Sequence, residues 1–554
     1  MFDLTSCQGR MVHVGLSLVW ACIFGIFMLT GPSSGLTEDW MGLSGMERTK
    51  NRPELEWDWG HTWSTVEINK QPVSMLLSSV LGNYRFTLPR DQLHRGTAYV
   101  GSSSRLRRLV RDLILPREQT NFKIAVIGGS ISYGQFTSKR GVTDWFSVFS
   151  KWMISAFPRA NITARNGCTP GVPTPYMILC LELSVDPDVD LVFVEYTLND
   201  GTDPRLFDNS IVKDTERLVR RILALPNHPA VVFMHVPIHG MASYPKGHEK
   251  NKANDAYQPF YWTSEDAEGA ISQYYDVQYL SLRTALYRLA VHKGAPGFLW
   301  EDTFVDHHPG DHGHKVMADL AVHLLQRTAL GLLVEPYGPA DVEAVQEPLP
   351  EPMYQFNTAP SSPMCLVGET FRSLVVESDG WEYLNEGTAV KPKPGFVAKR
   401  PGSRLRLRLD TDRSGVGSPA EEQVHVYLHH LRSYEHMGKA RISCVSGCAC
   451  EEVVVDAHIT QRVSQVYMAR ILVSQARECL MEVTVLDQTS SGENKFKVSG
   501  LVVSEKAGAG SAMERIGGDN AHFGLRQHSG DAVQVVWTKE GRKGGFDVPR
   551  RHRR

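Results

Sequence analysis

Between residues 121 and 330, short β-type runs alternate with longer amphipathic ones. KIAVIG (123–128), NITARN (161–166), DLVFVEY (190–196), AVVFMHV (230–236) and VQYLSL (277–282) are too short for helices and rich in residues that favour a sheet, which predicts five strands. Between them, TDWFSVFSKWMISAF (143–157) and DNSIVKDTERLVRRILAL (208–225) repeat apolar positions every three to four residues, the period of a helix face. A last helix follows Asp311, with Val316, Met317, Leu320, Ala321, Leu324 and Leu325 on one side, and SSRLRRLVRDLIL predicts another just before the first strand. Strands separated by helices imply βαβ units and a parallel sheet, so the expected fold of 121–330 is α/β.

The pattern changes at 331–363, where Pro and Glu accumulate and no period survives, and this stretch reads as a linker. From 364 to 505 short alternating runs, including SRLRLRLD, EQVHVYLHHL and ECLMEVTVL, are punctuated by Gly, Pro and Ser, the signature of an antiparallel β-sandwich. Residues 36–120 read as a stem or wrapping extension, and 506–554 as a disordered tail with a basic end. At 554 residues the chain is too long for a single core.

Residues 11–30 contain no Lys, Arg, Asp or Glu and, as a helix, reach about 30 Å, enough to cross a bilayer. With Arg10 before it and Glu38 and Asp39 after it, the segment reads as a signal anchor that leaves the N-terminus in the cytosol, a Golgi-type single-pass type II arrangement. The alternative is a signal peptide cleaved within residues 1–35, giving a secreted protein. Either route delivers the rest to an oxidising lumen. There, Cys444, Cys448, Cys450 and Cys479 are expected in disulfides rather than on a metal, one of the seven cysteines beyond the apolar segment is left over, and Asn161 in Asn-Ile-Thr is a glycan acceptor. The net charge of −2 excludes a nucleic-acid-binding role for the chain as a whole.

Candidate chemistry gathers at the ends of the predicted strands. Ser130 follows Gly128 and Gly129 at the end of the first strand, where open α/β sheets place their chemistry and where a turn into a helix aims amides at developing charge. An activated serine needs a base, a group to orient it and donors for an oxyanion. NGCTPG offers the amide of Gly171, FVEYTLND offers the side chain of Asn199, and DTFVDHHPG offers His307 or His308, with Asp306 as the nearest carboxylate. Asp306, His307, His308, His312 and His314 also compose a metal-ligand set, without the spacing of a familiar zinc motif, so no metal or cofactor is expected. GPSSG at 31–35 fits the nucleophile-elbow pattern but has no strand before it and is set aside.

In order and spacing, GGSIS, NGCTPG, TLND and DHHP resemble the four blocks of the SGNH, or GDSL-like, hydrolases, over about two-fifths of the chain. The resemblance implies a flavodoxin-like three-layer domain with a five-stranded parallel sheet, followed here by the β-sandwich. It also implies Ser130 as nucleophile, the amides of Ser130 and Gly171 with the Asn199 side chain as oxyanion donors, His308 rather than His307 as base, and Asp306 as its partner. The family's first block usually reads Gly-Asp-Ser, and Gly-Gly-Ser is a variant shared by many carbohydrate-acting members. Its aspartate usually lies three residues before the histidine, where this chain has Val305, which makes Asp302, or a backbone carbonyl in place of any carboxylate, the alternative to Asp306. The expected activity is hydrolysis of O-acyl, chiefly O-acetyl, esters on a polysaccharide or glycoprotein glycan through an acyl-serine. The alternatives are an O-acyltransferase acting on glycans and a non-catalytic carbohydrate-binding scaffold.

Overall fold

The computed structural model describes residues 76–117, 120–201, 203, 205–236, 264–292, 303–305, 308–388, 392–416, 418–462, 464–505 and 535–543. The apolar segment 11–30, Asp302, Asp306 and His307 lie outside the described residues.

Six strands precede the last long helix: β1 (Thr97–Tyr99), β2 (Asn121–Gly128), β3 (Asn161–Asn166), β4 (Leu191–Glu195), β5 (Ala230–His235) and β6 (Gln278–Ser281). The five strands expected from the sequence are parallel in the spatial order β3-β2-β4-β5-β6, the flavodoxin-like order, and β1 adds an antiparallel edge beside β6. β4 and β5 are buried along their full length, which is why they read as continuous apolar runs rather than alternating ones.

The helices used below are α1 (Ser104–Ile114), α2 (Ser130–Tyr133), α3 (Trp145–Ala156), α4 (Thr174–Cys180), α5 (Thr197–Asp200), α6 (Ser210–Leu223), α7 (Ser264–Tyr275) and α8 (Asp311–Val334). On one face of the sheet, Leu106 and Val110 of α1, Phe149 and Trp152 of α3, and Leu320 and Leu324 of α8 share a core. On the other, Ile178 of α4, Val219 and Ile222 of α6, and Ile271 of α7 share a second one. Asp144 and Asn209 cap α3 and α6 by accepting from amides of the first turn. By length and composition α8 would pass for a membrane span, but two-thirds of its most apolar window is buried in the fold. Its buried Asp319 accepts from the Tyr84 hydroxyl at 2.9 Å and the Thr87 and Leu88 amides at 2.7 and 2.8 Å, so residues 84–88 wrap onto this helix.

The sandwich strands are β7 (Met364–Val367), β8 (Val375–Asp379), β9 (Glu382–Asn385), β10 (Pro394–Ala398), β11 (Arg404–Leu409), β12 (Val424–Ser433), β13 (Lys439–Ser446), β14 (Val453–Asp456), β15 (Ser464–Val473), β16 (Cys479–Val485) and β17 (Phe496–Ser504). One antiparallel sheet runs β15-β12-β17-β10-β9 with β7 beside β17, and the other runs β14-β13-β16-β11-β8. Val426, Leu428, Ile471, Val483 and Val503 fill the space between them. Disulfides join Cys444 to Cys450, Cys448 to Cys479 and Cys180 to Cys365, leaving Cys168 as a buried thiol among the described residues. The third bridge ties α4 to β7. Around it Val172, Tyr176 and Leu179 pack against Tyr427, Met468 and Val502, so the outer face of the sandwich is seated on the α/β part.

Two expectations need correction. The 331–363 stretch is not a free tether: Pro339–Gln346 is helical, Asp341 pairs with Arg107 at 2.8 Å, and Glu216 accepts from the Met353 amide and the Asn357 side chain at 2.5 and 2.6 Å. Its Pro and Glu content describes a surface strap, not disorder. Within the tail, β18 (Val535–Thr538) and β19 (Gly541–Lys543) form a hairpin, and β18 pairs antiparallel with β3. Val535 is buried there and Trp537 packs against the core, so apolar burial outweighs the basic, Gly-rich surroundings.

Candidate active site

In this strand order the chain leaves β2 toward β3 and later returns to β4 on the opposite side, which opens a crevice beyond the C-terminal ends of β2 and β4. Ser130 stands at the end of β2 as the first residue of α2, and Asn199 stands in α5, directly after β4. The loop from Thr303 to Gly310 enters from a third side. It is closed by hydrogen bonds from the Val305 amide to the His308 carbonyl and from the Gly310 amide to the Thr303 carbonyl, both 2.9 Å. This brings His308 Nε2 to 2.7 Å from Ser130 Oγ across 178 residues of sequence. The His308 ring is buried, while Ser130 remains partly open to solvent.

The glycines of the first block have a steric explanation. A Cβ on Gly128 would come within 2.6 Å of the Glu195 carbonyl oxygen, and one on Gly129 would overlap Asn199, 1.9 Å from its Oδ1. Gly129 has a negative φ, so it is needed for the close approach of the Asn199 carboxamide and not for its backbone conformation. Asn199 Oδ1 is buried in that contact without a hydrogen-bond partner, which leaves Nδ2 as the end able to donate. Gly171 occupies the left-handed region at φ +77°, and the Val172 amide bonds back to the Thr169 carbonyl at 3.3 Å. Thr-Pro-Gly-Val is thus a tight turn with glycine where a positive φ is required. The turn lies alongside the end of β2, because the Thr169 amide donates to the Gly128 carbonyl at 3.0 Å.

Two buried carboxylates missed by sequence reasoning tie these pieces together. Asp200 accepts from the Thr174 amide at 2.8 Å and its hydroxyl at 2.6 Å, fastening the Gly171 loop to the Asn199 turn. Glu195 accepts from the Ser132 amide at 3.0 Å, and its carbonyl accepts from the Gly129 amide at 3.2 Å, so it braces the Ser130 turn from below. The only sequence signal was an acidic residue on either side of Asn199 in FVEYTLND. Asp200→Ala leaves two buried donors unpaired and frees the loop; kcat for ester hydrolysis is expected to fall on the order of tenfold or more with little change in KM. Asp200→Asn, which keeps an acceptor for the amide, should retain most of the rate. Equal rates for wild type and Asp200→Ala would refute the fastening role.

Behind Asn199, Thr197 Oγ1 lies 2.7 Å from His235 Nδ1, which in turn is 3.3 Å from Glu268 Oε2. Burial lowers His235 to about 3 and pushes Glu268 well above the usual carboxylate range, so this contact is between neutral groups and His235 is structural. Burial likewise raises the Glu195 carboxyl to about 8. A carboxyl raised on folding stabilises the fold fully below its unfolded value, near 4.3, and that contribution is lost as pH rises through about 8. The melting temperature is therefore expected to fall between about pH 5 and 8, and more steeply for wild type than for Glu195→Gln. Parallel melting curves for the two proteins over that range would contradict it.

The histidines of the last block diverge. His314 is buried, and its Nδ1 accepts from the Trp145 amide at 3.2 Å; His312 Nδ1 sits 3.4 Å from Thr303 Oγ1; of the described histidines, His308 is the one placed on Ser130. Among the described residues they do not converge on one point, and the one cluster with metal-ligand geometry, Cys444, Cys448 and Cys479, is engaged in disulfides. Asp306, expected beside His308, lies outside the described residues. Asn161 is exposed at the start of β3, at the end of the sheet remote from Ser130. Of the sandwich aromatics, Trp381 is buried against Phe496, Tyr383 is half-buried beneath Arg372, and Tyr434 is half-buried.

No protein-family model and no curated protein matches the sequence. Among solved structures, the chain is similar to a two-domain esterase (CEX) active on acetylated mannans, with a TM-score of 0.53 and 18% identity over 75% of this chain and 99% of that one. The structure described as that esterase co-crystallised with mannopentaose gives a TM-score of 0.52 and 18% identity, covering 76% of this chain and 99% of that one. At this identity the likeness is one of fold: an α/β sheet with helices on both faces and a C-terminal β-sandwich.

Proposed function

We propose that this protein is a serine esterase of the SGNH type that removes O-acyl groups, chiefly acetyl, from carbohydrates. The observation that carries the reading is the 2.7 Å approach of His308 Nε2 to Ser130 Oγ at the strand-order crevice, beside the Asn199 carboxamide and the Gly171 turn. In this reading His308 accepts the Ser130 proton as Oγ attacks the ester carbonyl carbon. The carbonyl oxygen takes up the charge and is held by the Ser130 and Gly171 amides and Asn199 Nδ2. As the tetrahedral intermediate collapses, the sugar oxygen leaves with the proton from His308, and Ser130 carries the acyl group. Water, deprotonated by His308, then releases the acid and restores the serine.

The shared fold with an esterase active on acetylated mannans supports a carbohydrate as the alcohol component. Three disulfides among the described residues favour an oxidising compartment, and with the apolar segment 11–30 they support a secretory, membrane-anchored enzyme with this domain in the lumen. The exposure of Asn161 supports it as the glycan acceptor.

A fluorophosphonate probe tests the nucleophile. Wild type should be labelled on Ser130 and should release acetate from acetylated mannan, and Ser130→Ala should do neither. Folded wild type that is neither labelled nor active would leave the non-catalytic scaffold as the better reading. Transfer of acetyl to an added oligosaccharide without release of acetate would favour the transferase.

A further inference from the structure

The mouth of the site carries an aromatic ring that the acyl-transfer steps do not use. Phe136 lies six residues after Ser130, and its ring centroid is 5.3 Å from that of His308, with the planes tilted by 49°. It is 47% exposed, whereas Ile131 and Tyr133 of the same segment are buried. Its backbone occupies the left-handed region at φ +67°, a conformation costly for a bulky side chain and natural to glycine. The surroundings impose that conformation. The Gln135 amide bonds to the Ser130 carbonyl at 3.0 Å, the buried Thr137 hydroxyl donates to the Gly134 carbonyl at 2.7 Å, and the Ser138 amide donates to Asp311 Oδ1, at the start of α8, at 2.8 Å. The chain therefore fixes a strained residue and gains little core burial from its side chain. What the conformation achieves is an open aromatic face at the edge of the reacting atoms.

Val305 lies on the loop that carries His308. It is 48% exposed, and its amide bonds to the carbonyl of His308, so the imidazole has an apolar side chain on each of the two loops that meet there. The carboxylates that organise the site, Glu195 and Asp200, are buried beneath it, not at this rim. A solvent-open aromatic face suits a flat ligand with axial C–H groups more than an extended acyl chain, which needs enclosure. We infer that Phe136 is a stacking platform for the pyranose ring that carries the scissile ester, with Val305 flanking it. This rests on the esterase reading of Ser130 and His308 and assigns the sugar side of the substrate to this rim.

Phe136→Gly removes the ring and suits the left-handed backbone, so it should fold at least as well as wild type, which a melting curve checks. Two measurements read the platform. The first compares kcat/KM for acetylated mannopentaose with that for ethyl acetate, which has no sugar. The Phe136→Gly loss on the sugar ester is expected to exceed the loss on ethyl acetate by about tenfold, chiefly through KM, and Phe136→Tyr should restore most of it. Equal losses on both esters would mean that the ring serves His308 and not the sugar, and would overturn the assignment. The second is independent of turnover: calorimetric titration of acetylated mannopentaose into Ser130→Ala and into Ser130→Ala/Phe136→Gly. About tenfold weaker binding by the double variant supports the platform even if Ser130 proves not to be a nucleophile. Equal binding by both, or none by Ser130→Ala, overturns it.

Discussion

Asn199→Ala is expected to lower kcat for ester hydrolysis by at least a hundredfold while leaving KM within a few-fold of wild type, because in the proposed mechanism it removes a donor aimed at charge that exists only in the transition state. The carboxamide has no other task visible in the fold: its oxygen is wedged against Gly129 and makes no hydrogen bond. Its loss should therefore cost little stability. Gly129→Ala supplies a control of opposite construction, since Asn199 stays but is pushed aside by the new methyl group, which cannot fit 1.9 Å from Oδ1. A displacement near an ångström typically costs up to about a hundredfold, so Gly129→Ala should show a similar defect in kcat, again without a defect in melting. Combining the two changes should cost scarcely more than Asn199→Ala alone, because both act on one group. Steady-state kinetics on acetylated oligosaccharide decide the matter. Near-wild-type turnover by Asn199→Ala removes Asn199 from the mechanism, and a normal rate for Gly129→Ala shows that the carboxamide can move without consequence.

The second large effect concerns stability. Cys180 and Cys365 are separated by 185 residues, and in the chain-entropy account closing a loop of that length is worth about 5 kcal/mol, more than for the two bridges inside the sandwich. The double variant Cys180→Ala/Cys365→Ala is expected to melt roughly 5–10 °C below wild type. The apolar contacts of Val172, Tyr176 and Leu179 with Tyr427, Met468 and Val502 persist in that variant, so catalysis at room temperature should survive. An unchanged melting temperature would show that those contacts hold the two parts together unaided. Mild reductant on wild type should reproduce the shift.

The parts of this architecture that were legible in the sequence are those whose burial has a single direction. β2, β4 and β5 were readable because both faces are covered by helices, and the strands around Leu405 and Val483 because one face meets the sandwich core and the other meets water. β15 was not singled out, for a physical reason. Ala469 and Ile471 point into the sandwich while Met468 points into the contact with α4, so three consecutive residues, Tyr467 to Ala469, are buried and the alternation disappears. The C-terminal hairpin was hidden in the same way, since its strand-like VVWT run is short and its partner, β3, lies far back in the sequence.

At the candidate site, Ser130, Gly171, Asn199 and His308 could be picked out as candidates because each follows a predicted strand or precedes a predicted helix. The contacts of Gly129, Asp200 and Glu195 and the exposed, left-handed Phe136 could not. Each depends on a contact between segments far apart in sequence, or on one backbone angle, and neither leaves a local pattern.

The hairpin at the C-terminus also constrains how the molecule is made. β3 is an edge of the parallel sheet until β18 lies along it, and β18 is made only after the strap and the sandwich. Throughout synthesis of the strap and the sandwich, the α/β half waits with an unpaired strand, the kind of surface on which nascent chains aggregate. Its sheet is completed only once the residues beyond the sandwich have emerged. Between those events the emerging polypeptide must keep one open edge from finding another.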